Sequence, residues 1–459
     1  MYRWSTILAL LFILSFVSTF PVHCFRPWSA QTPYPSELFR PELVRKVLKE
    51  VLPEDTDKSK FEYYVSLWTV YPHTLITEEL PDIFPHETSL LIHNKLINSM
   101  FTKGEFEDYD PTKCYVLVLS GGSNRGAWEV AALRGLVTRY KEEGKIVDWD
   151  IISGVSVGAI GAYSSLYQNS VYEWTNELWD YWWSAQQEIL SDCQLPLKKN
   201  IGSWLQMLLK KMIDPDAVFQ YLCGVEAPRK ILKKRFATNK RNNSKSVTIT
   251  ATRIEDGLPR TWYGWNSTDD ELINAVFASL AYPLVYRPVY VSGSYYMDGG
   301  IRGNANLIDP IRHCMEFKNV TADRVVVDYI ETQPIKPRWI WFPSEMNIRD
   351  HINRAFDILH FNVRGISKLK EAMEMFPQTY FRHYLTPTTW SDFEFWPSLG
   401  LDVSDRPKMI QMMKMGLSIG VKAGFINKTQ ILSCNRTVIR TDSVLNLPPL
   451  NNTRNLFNV

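Results

Sequence analysis

The chain has 459 residues and a formal net charge of +2, and 45% of its residues are hydrophobic and 22% charged. These values are typical of a globular protein that is long enough for one large domain with extensions or for two domains. Because the net charge is small and the sequence has no nucleic-acid-binding motif, nucleic acid is excluded as a partner.

The N-terminus has the pattern of a signal peptide. Arg3 precedes the mostly apolar run Ile7–Phe20, and a suitable cleavage site ends at Cys24. As a helix this run extends about 21 Å, which is short of the ~30 Å hydrocarbon core, so a permanent span is the less favoured interpretation. We therefore expect residues 1–24 to be removed, and the protein to be secreted or resident in the lumen of the secretory pathway without a transmembrane span.

Residues 25–110 contain no motif that indicates a role. Helical spacing of apolar residues predicts helices over Glu42–Val51 and Glu87–Met100. We expect this region to be an N-terminal extension that packs on the domain that follows it.

A glycine-rich loop follows the apolar run Cys114–Leu119, which predicts a buried strand. A helix is predicted from Ala127, with Gly144 as its C-terminal cap. Glycines at a helix N-terminus expose N–H donors to an anion, either a phosphate or the oxyanion of an acyl-transfer transition state. The loop lacks the glycine and lysine spacing of phosphate-binding loops, which favours the oxyanion. Its residues are Gly121, Gly122, Ser123, Asn124, Arg125 and Gly126.

A second motif places Ser156 between Gly154 and Gly158, directly after the predicted strand Trp149–Ser153. A serine on a sharp strand-to-helix turn has an unfavourable backbone, and small neighbours let the strand and the helix Ala159–Gln168 close around it. The pattern indicates a nucleophile, although alone it often marks only a tight turn.

A third motif is Asp298-Gly299-Gly300, which follows the short strand-like run Tyr295–Met297. Taken alone, this tripeptide is most often a turn. In the order loop, Ser156 and Asp298, however, the three motifs resemble the patatin-like phospholipases.

The resemblance covers about residues 111–425 and implies a three-layer α/β/α fold around a central mixed, mostly parallel sheet. It implies Ser156 as nucleophile, Asp298 as its base, the loop Gly121–Gly126 as oxyanion hole, and Arg125 as the basic residue of that loop. Two departures from the family pattern are Ser123, where a third glycine is usual, and the segment 304–307, where Asn-x-Pro is usual. The first should be harmless unless that position needs a positive φ.

The predicted function is therefore hydrolysis of lipid esters, first of all phospholipids, through an acyl-serine and without a cofactor or metal. The protein would contact a membrane or lipid surface transiently. A carboxylate is a weak base towards serine, so the site must be dry. Three alternatives remain: a triad with a histidine, an acyltransferase on the same site, and a catalytically silent lipid-binding or storage glycoprotein. The candidate histidines are His313, His351, His360 and His383.

The remaining segments complete a layered α/β pattern. Residues 171–236 are predicted to be a mainly helical insert rich in tryptophan, where core packing is favoured over a lid or membrane contact. A hairpin is predicted over Lys245–Arg253 and Arg260–Trp265, and a buried strand over Arg324–Tyr329. Helices are predicted over 348–375 and 409–424, and residues 426–459 form a polar tail.

Cysteine and asparagine usage agrees with a secretory route. At most two disulfides are expected, since cleavage after Cys24 leaves an odd number of cysteines. We expect Cys114 to be a buried free thiol, and Cys193 to pair with Cys223. Acceptor triplets for N-glycosylation begin at Asn242, Asn266, Asn319, Asn427, Asn435 and Asn451.

Overall fold

The computed structural model describes residues 41–53, 55–70, 92, 101–102, 106–184, 225–237, 240–283, 285–333, 366–387, 406–426 and 428. The predicted signal peptide, most of the predicted helix Glu87–Met100, the predicted Cys193–Cys223 pair and the tail beyond residue 428 lie outside these residues. So do His351 and His360.

Helices and strands alternate along the described chain. The strands are β1 (Phe101–Thr102), β2 (Cys114–Leu119), β3 (Ile151–Val155), β4 (Ser246–Arg253), β5 (Pro259–Tyr263), β6 (Val289–Val291), β7 (Ser294–Met297), β8 (Val325–Ile330), β9 (Tyr380–Leu385) and β10 (Phe425–Ile426). The helices are α1 (Pro41–Val51), α2 (Lys58–Val70), α3 (Gly126–Glu142), α4 (Val157–Ser165), α5 (Val171–Ser184), α6 (Glu226–Phe236), α7 (Asp269–Leu280), α8 (Ile308–Lys318), α9 (Ile366–Met375) and α10 (Arg406–Val421). Short 3₁₀ turns span 123–125, 299–301 and 322–324.

One mixed sheet of eight strands forms the centre of the fold. Its order is β6-β7-β4-β3-β2-β8-β9, and β5 pairs with β4 outside this path. The five strands from β4 to β9 in this order are parallel, whereas β5, β6 and β7 join in antiparallel pairs. Since the carboxyl ends of parallel strands meet at one edge, the loops after β2 and β3 lie side by side.

The strand β4 is longer than its neighbour β3, and this difference in length brings two distant segments together. Thr250 of β4 pairs with Val155, the last residue of β3. Beyond it, Thr252 pairs with Met297 of β7 on that same side, because the other side of β4 is occupied by β5. Asp298, which follows β7, therefore lies close to Ser156, which follows β3.

Helices cover both faces of the sheet, as the alternation of side chains along β2 shows. Tyr115, Leu117 and Leu119 join the core formed with α3, α4, α5, α7 and α10. Cys114, Val116 and Val118 belong to a second core with residues of α8 and α9. All six positions are buried, as expected for a central parallel strand with helices on both sides. The predicted α/β/α layering and mostly parallel mixed sheet are confirmed.

The expectation for Cys114 is wrong. Its sulfur is bonded to that of Cys314, with the two Cα atoms 5.9 Å apart. Cys114 begins β2 and Cys314 lies on α8, so the bond joins the central strand to the helix layer that covers it. Both residues are fully buried. No pattern in the sequence places these residues together, because they are 200 positions apart.

The N-terminal region contacts the main domain through a strand from the C-terminal part of the chain. Strand β1 pairs with β10, with Phe101 opposite Ile426. Phe106 then packs edge-on against Tyr140 of α3, with ring centroids 4.7 Å apart. The helix α2 had no sequence prediction; it is joined to α1 by an exposed ion pair between Arg45 and Glu62.

The helices of the described part of the chain include none with the length and apolar composition needed to cross a membrane.

Candidate active site

The segment Gly154–Gly158, here called the nucleophile elbow, has the strained turn that its sequence predicts. Ser156 has φ 53° and ψ −123°, a conformation that costs a non-glycine residue of the order of 1–3 kcal/mol. A Cβ atom on Gly154 would overlap the carbonyl group of Gly158, and one on Gly158 would lie 2.5 Å from the carbonyl oxygen of Leu119. The two glycines therefore let β3 and α4 meet at the serine.

The strained backbone of Ser156 is held by a residue that the sequence did not single out. Its N–H donates to Oγ of Ser279 at 2.7 Å. The Ser279 hydroxyl in turn donates to the carbonyl oxygen of Thr250 at 2.6 Å, which fixes its orientation. Ser279 is fully buried near the end of α7. This bridge anchors the elbow to β4.

Asp298 lies against the serine side chain. The Oγ of Ser156 donates a hydrogen bond to Oδ2 of Asp298 at 2.7 Å. Ser156 is 7% exposed and Asp298 3% exposed, so the pair meets the expectation of a dry site. The other carboxylate oxygen, Oδ1, accepts from the N–H of Gly300 at 2.7 Å. One oxygen of the carboxylate thus faces the serine and the other is fixed by its own turn.

The backbone of Asp298 is fixed as well as its side chain. Its N–H donates to the carbonyl oxygen of Ala281 at 2.9 Å. Its carbonyl oxygen accepts from Oγ1 of Thr252 at 3.1 Å. A Cβ on Gly299 would overlap the carbonyl oxygen of Thr250, so the dyad turn, Asp298–Gly300, packs directly on β4.

The oxyanion loop, Gly121–Gly126, follows β2 at the same edge of the sheet. The N–H of Gly121 donates to the carbonyl oxygen of Asn304 at 2.8 Å, and that of Arg125 donates to the carbonyl oxygen of Gly122 at 3.1 Å. The N–H of Gly126 also donates within the loop. These three donors maintain the fold of the loop. The other N–H groups in it are those of Gly122, Ser123 and Asn124; Ser123 takes part in another interaction, so Gly122 and Asn124 are the candidates to bind an anion.

Ser123, which stands where the family usually has a third glycine, has φ 55°. The position therefore requires a positive φ, and its backbone is strained in a way that a glycine would not be. The side chain of Arg125 is buried at the base of the loop.

Two buried glutamates lie beneath the oxyanion loop, and neither was predicted as part of the site. Oε1 of Glu129 accepts from the N–H of Ser120 at 2.8 Å. Burial raises the pKa of Glu129 well above its ordinary value, and the nearby Glu331 adds to this rise, while the bond from Ser120 opposes it. Glu331 is fully buried and accepts from the N–H of Gln333 at 3.1 Å.

His313 and His383, the candidate histidines in the described part of the chain, form hydrogen bonds with groups other than Ser156. The imidazole of His313 is 2.8 Å from Oγ of Ser246, at the start of β4 and thus at the opposite edge of the sheet. The imidazole of His383 lies between the Tyr140 hydroxyl and the carbonyl oxygen of Gly424, at 2.9 Å from each. Burial lowers the pKa of both side chains to about 4. Neither is placed to act in a triad with Ser156.

The tryptophans of the helical insert pack mainly in the core, as favoured from the sequence. Trp174 is 1% exposed, and its indole N–H donates to Oγ of Ser164 at 2.9 Å. Trp182 is also buried, and a Cβ on Gly126 would overlap its ring. The helix α5 therefore touches the start of α3 beside the oxyanion loop. Residues 185–224 of the insert lie outside the described chain.

In the ranges that the structure describes, no cluster of three or more histidine, cysteine or acidic side chains could hold a metal ion.

A comparison with protein-family models identifies the domain that contains these loops. Residues 117–311 match the model of the patatin-like phospholipases. The matched range includes the oxyanion loop, the nucleophile elbow and the dyad turn. Residues 117–311 form a patatin-like phospholipase domain. The patatin-like domain thus begins within β2 and ends within α8.

Among solved structures, the chain is similar to VipD from Legionella pneumophila, with 14% identity and a TM-score of 0.29 over 69% of this chain and 70% of VipD. It is also similar to the type III effector protein ExoU, with 14% identity and a TM-score of 0.20 over 55% of this chain and 52% of ExoU. The search of curated proteins found no match.

Proposed function

We propose that the protein is a lipid acyl hydrolase in which Ser156 is the nucleophile and Asp298 the general base. The observation that carries this proposal is the 2.7 Å hydrogen bond from Ser156 Oγ to Asp298 Oδ2, formed in a buried site. The strain at Ser156 is a further support, because non-glycine residues with such backbone angles cluster at active sites.

The first half of the reaction forms an acyl-serine. Asp298 Oδ2 takes the proton of Ser156 Oγ while that oxygen attacks the carbonyl carbon of the ester. The carbonyl oxygen becomes an oxyanion, which the N–H of Gly122 stabilises. Since α4 begins at Val157, the positive end of its dipole also points at the nucleophile. Asp298 then returns the proton to the alcohol that leaves.

The second half releases the acid. Asp298 removes a proton from a water molecule as that water attacks the acyl-serine carbonyl, and the N–H of Gly122 stabilises the new oxyanion. The ester bond to Ser156 breaks, Oγ takes the proton back, and the free fatty acid leaves. Because Asp298 donates and accepts in turn, neither half requires a histidine.

Lipid esters, and phospholipids first of all, are the proposed substrates because of the family match. The test is to incubate the pure protein with vesicles of phospholipid, with lysophospholipid and with triglyceride emulsions, and to quantify free fatty acid. A fluorophosphonate probe that labels Ser156 covalently is the accompanying measurement. Fatty acid release and labelling that are both absent in Ser156→Ala would support the hydrolase. Acyl transfer to an added alcohol without fatty acid release would favour the acyltransferase, and neither reaction would favour the silent lipid-binding protein.

We also propose that the protein folds in the secretory pathway. A disulfide between two buried cysteines supports this proposal, since such bonds form mainly in oxidising compartments. The acceptor residues Asn266 and Asn319 are exposed, and Asn242 is partly exposed. Expression in a eukaryotic secretory host followed by endoglycosidase treatment should increase the mobility of the protein on a gel. Unchanged mobility would contradict glycosylation.

A further inference from the structure

Asn304 lies six residues after the proposed base and connects three parts of the site. It is 2% exposed. Its carbonyl oxygen accepts from the N–H of Gly121 at 2.8 Å, and its side-chain Nδ2 donates to the carbonyl oxygen of Gly121 at 2.6 Å. The same Nδ2 donates to Oε1 of Glu331 at 3.1 Å. Asn304 therefore binds both polar groups of Gly121, and it is itself oriented by a buried carboxylate at the end of β8.

The carbonyl group of Gly121 and the N–H of Gly122 belong to one peptide unit. Because that unit is planar, hydrogen bonds to the carbonyl oxygen fix the direction in which the N–H points. They also polarise the amide, which makes its N–H a stronger donor. The carbonyl oxygen accepts from three side chains, Nδ2 of Asn304, Oγ1 of Thr332 and, at a longer 3.3 Å, Oγ of Ser120. The N–H of Gly122, the proposed oxyanion donor, is thus oriented by hydrogen bonds to the carbonyl oxygen of its own peptide unit.

The side chain of Asn304 also adjoins the two proposed reacting groups. A Cβ on Gly121 would be 2.6 Å from Oδ1 of Asn304 and 3.0 Å from Cβ of Ser156. A Cβ on Gly300 would be 3.1 Å from the same Oδ1 and 2.9 Å from Oδ1 of Asp298. Asn304 is therefore packed between the oxyanion loop and the dyad turn, with the nucleophile beside it.

We propose that Asn304 is a positioning residue that orients and polarises the peptide between Gly121 and Gly122, so that its N–H meets the oxyanion. The role rests on the proposed hydrolase function. Both hydrogens of Nδ2 are used, on Gly121 and on Glu331, so Asn304 acts through Gly122 and does not itself donate to the substrate.

The test compares Asn304→Asp with the unmodified protein on a soluble p-nitrophenyl ester, with active sites counted by fluorophosphonate titration. An ionised Asp has the shape of Asn but cannot donate to Gly121. We expect kcat per labelled site to fall by about 10–100-fold, somewhat less than the loss of a whole oxyanion donor. KM should change little, because the ground-state ester does not depend on this bond.

The pH dependence separates positioning from a loss of folded protein. A protonated Asp at position 304 can donate again, so the ratio of its kcat to that of the unmodified protein should rise as the pH falls from about 9 to about 5.5. The titratable groups around the substitution are Glu331, which accepts from Asn304, Asp298 beside it, and Tyr329 and Glu129, which interact with Glu331; all four are present in both proteins. A merely structural role would lower the number of labelled sites and leave kcat per site and this ratio unchanged.

The matched control is Asn306→Asp. Asn306 lies two residues further on, and its Nδ2 donates to Thr250, Thr261 and Asp309 and not to the oxyanion loop. This variant should lose stability and keep its kcat per labelled site. Thr332→Val removes another donor to the carbonyl oxygen of Gly121 and should give a smaller loss of kcat of the same kind. It provides the test if Asn304→Asp does not fold.

The outcomes distinguish the two proposals. If the unmodified protein neither reacts with the probe nor hydrolyses esters, the hydrolase proposal fails. If it does both and Asn304→Asp matches it at every pH, the hydrolase proposal stands and the role of Asn304 is refuted.

Discussion

The nucleophile elbow and the oxyanion loop lie at the same edge of the sheet, but they are held in different ways. The elbow depends mainly on steric contacts, between residues close in sequence such as Gly154 with Gly158 and with the adjacent end of β2, and on one distant hydrogen bond, from the N–H of Ser156 to Ser279. The oxyanion loop depends on polar contacts with Asn304 and Thr332, which are 183 and 211 positions from Gly121. The turn of the elbow is therefore encoded largely by local sequence, with Ser279 as a distant support, whereas the contacts of the oxyanion loop exist only once the sheet has formed.

The largest effect is expected where both loops meet, at the dyad. Ser156→Ala and Asp298→Asn should each abolish nearly all turnover while the protein folds normally, because the first removes the proposed nucleophile and the second the base that takes its proton. The double variant should be no worse than either single one. Fatty acid release and thermal unfolding measure the two properties. Substantial hydrolysis by Asp298→Asn would show that another group acts as base.

Gly154→Ala is expected to break the elbow and with it the fold. The new methyl group would overlap backbone atoms of Gly158 and lie 2.6 Å from Cα of Ala159, and backbone cannot rotate away as a side chain can. A loss of about 3 kcal/mol or more in the free energy of unfolding is expected. Calorimetry and soluble yield measure it. A stable Gly154→Ala protein would show that the elbow is less tightly closed than described.

Gly122→Ala is expected to break catalysis and to spare the fold. Here the new methyl group would overlap the side chain of Thr332, which can move, but the movement breaks its bond to Gly121 and displaces the proposed donor. We expect kcat to fall by about 100–1000-fold with a small change in the melting temperature. Gly303→Ala is the matched control, because its methyl group would be 3.7 Å from the nearest atom, a methylene carbon of Lys368. Equal losses in both variants would contradict the role of Gly122.

The two buried histidines are expected to make the fold that carries both loops more sensitive to acid. His313 and His383 are neutral in the folded state, where burial lowers their pKa to about 4, against about 6.5 when unfolded. At these two positions the unfolded chain binds more protons, so their contribution to stability is complete above about pH 6.5 and decreases as the pH falls towards 4. Glu129 acts in the opposite sense, because its raised pKa lets the folded protein hold a proton that the unfolded chain releases. The difference in melting temperature between His313→Gln and the unmodified protein should therefore change in favour of His313→Gln as the pH falls from about 7.5 to 5. That variant should also keep its hydrolysis per labelled site; a severe loss of hydrolysis would instead indicate a catalytic histidine.

The smallest effect is expected from Ser123→Gly, which relaxes the oxyanion loop. Glycine removes the strain of a positive φ, a gain of about 1 kcal/mol, but it also makes the unfolded chain more flexible, which costs a similar amount. A shift of the melting temperature within ~2 °C and unchanged kcat are expected. A large fall in kcat would show that the serine side chain itself has a role in the loop.

The sequence predicted the features that depend on local pattern. The strand Cys114–Leu119 has the predicted bounds, and the order of the three motifs indicated the fold and the proposed dyad. The bounds of the elbow strand and its helix differ by about two residues from those expected. Ser279 and Asn304 were missed as supports, because a serine or asparagine has no distinctive pattern until folding brings it to its partner. Only the change from the family's Asn-x-Pro drew attention to the segment that contains Asn304.

The Cys114–Cys314 bond turns the centre of the chain into a covalent ring. Ser156, Asp298 and Asn304 all lie within the ring. Closing a loop of this size reduces the entropy of the unfolded chain by an amount worth about 5 kcal/mol. A protease that cuts once between Ser156 and Asp298 would put the two proposed reacting groups on separate fragments, yet the fragments would remain one molecule until a reductant separated them.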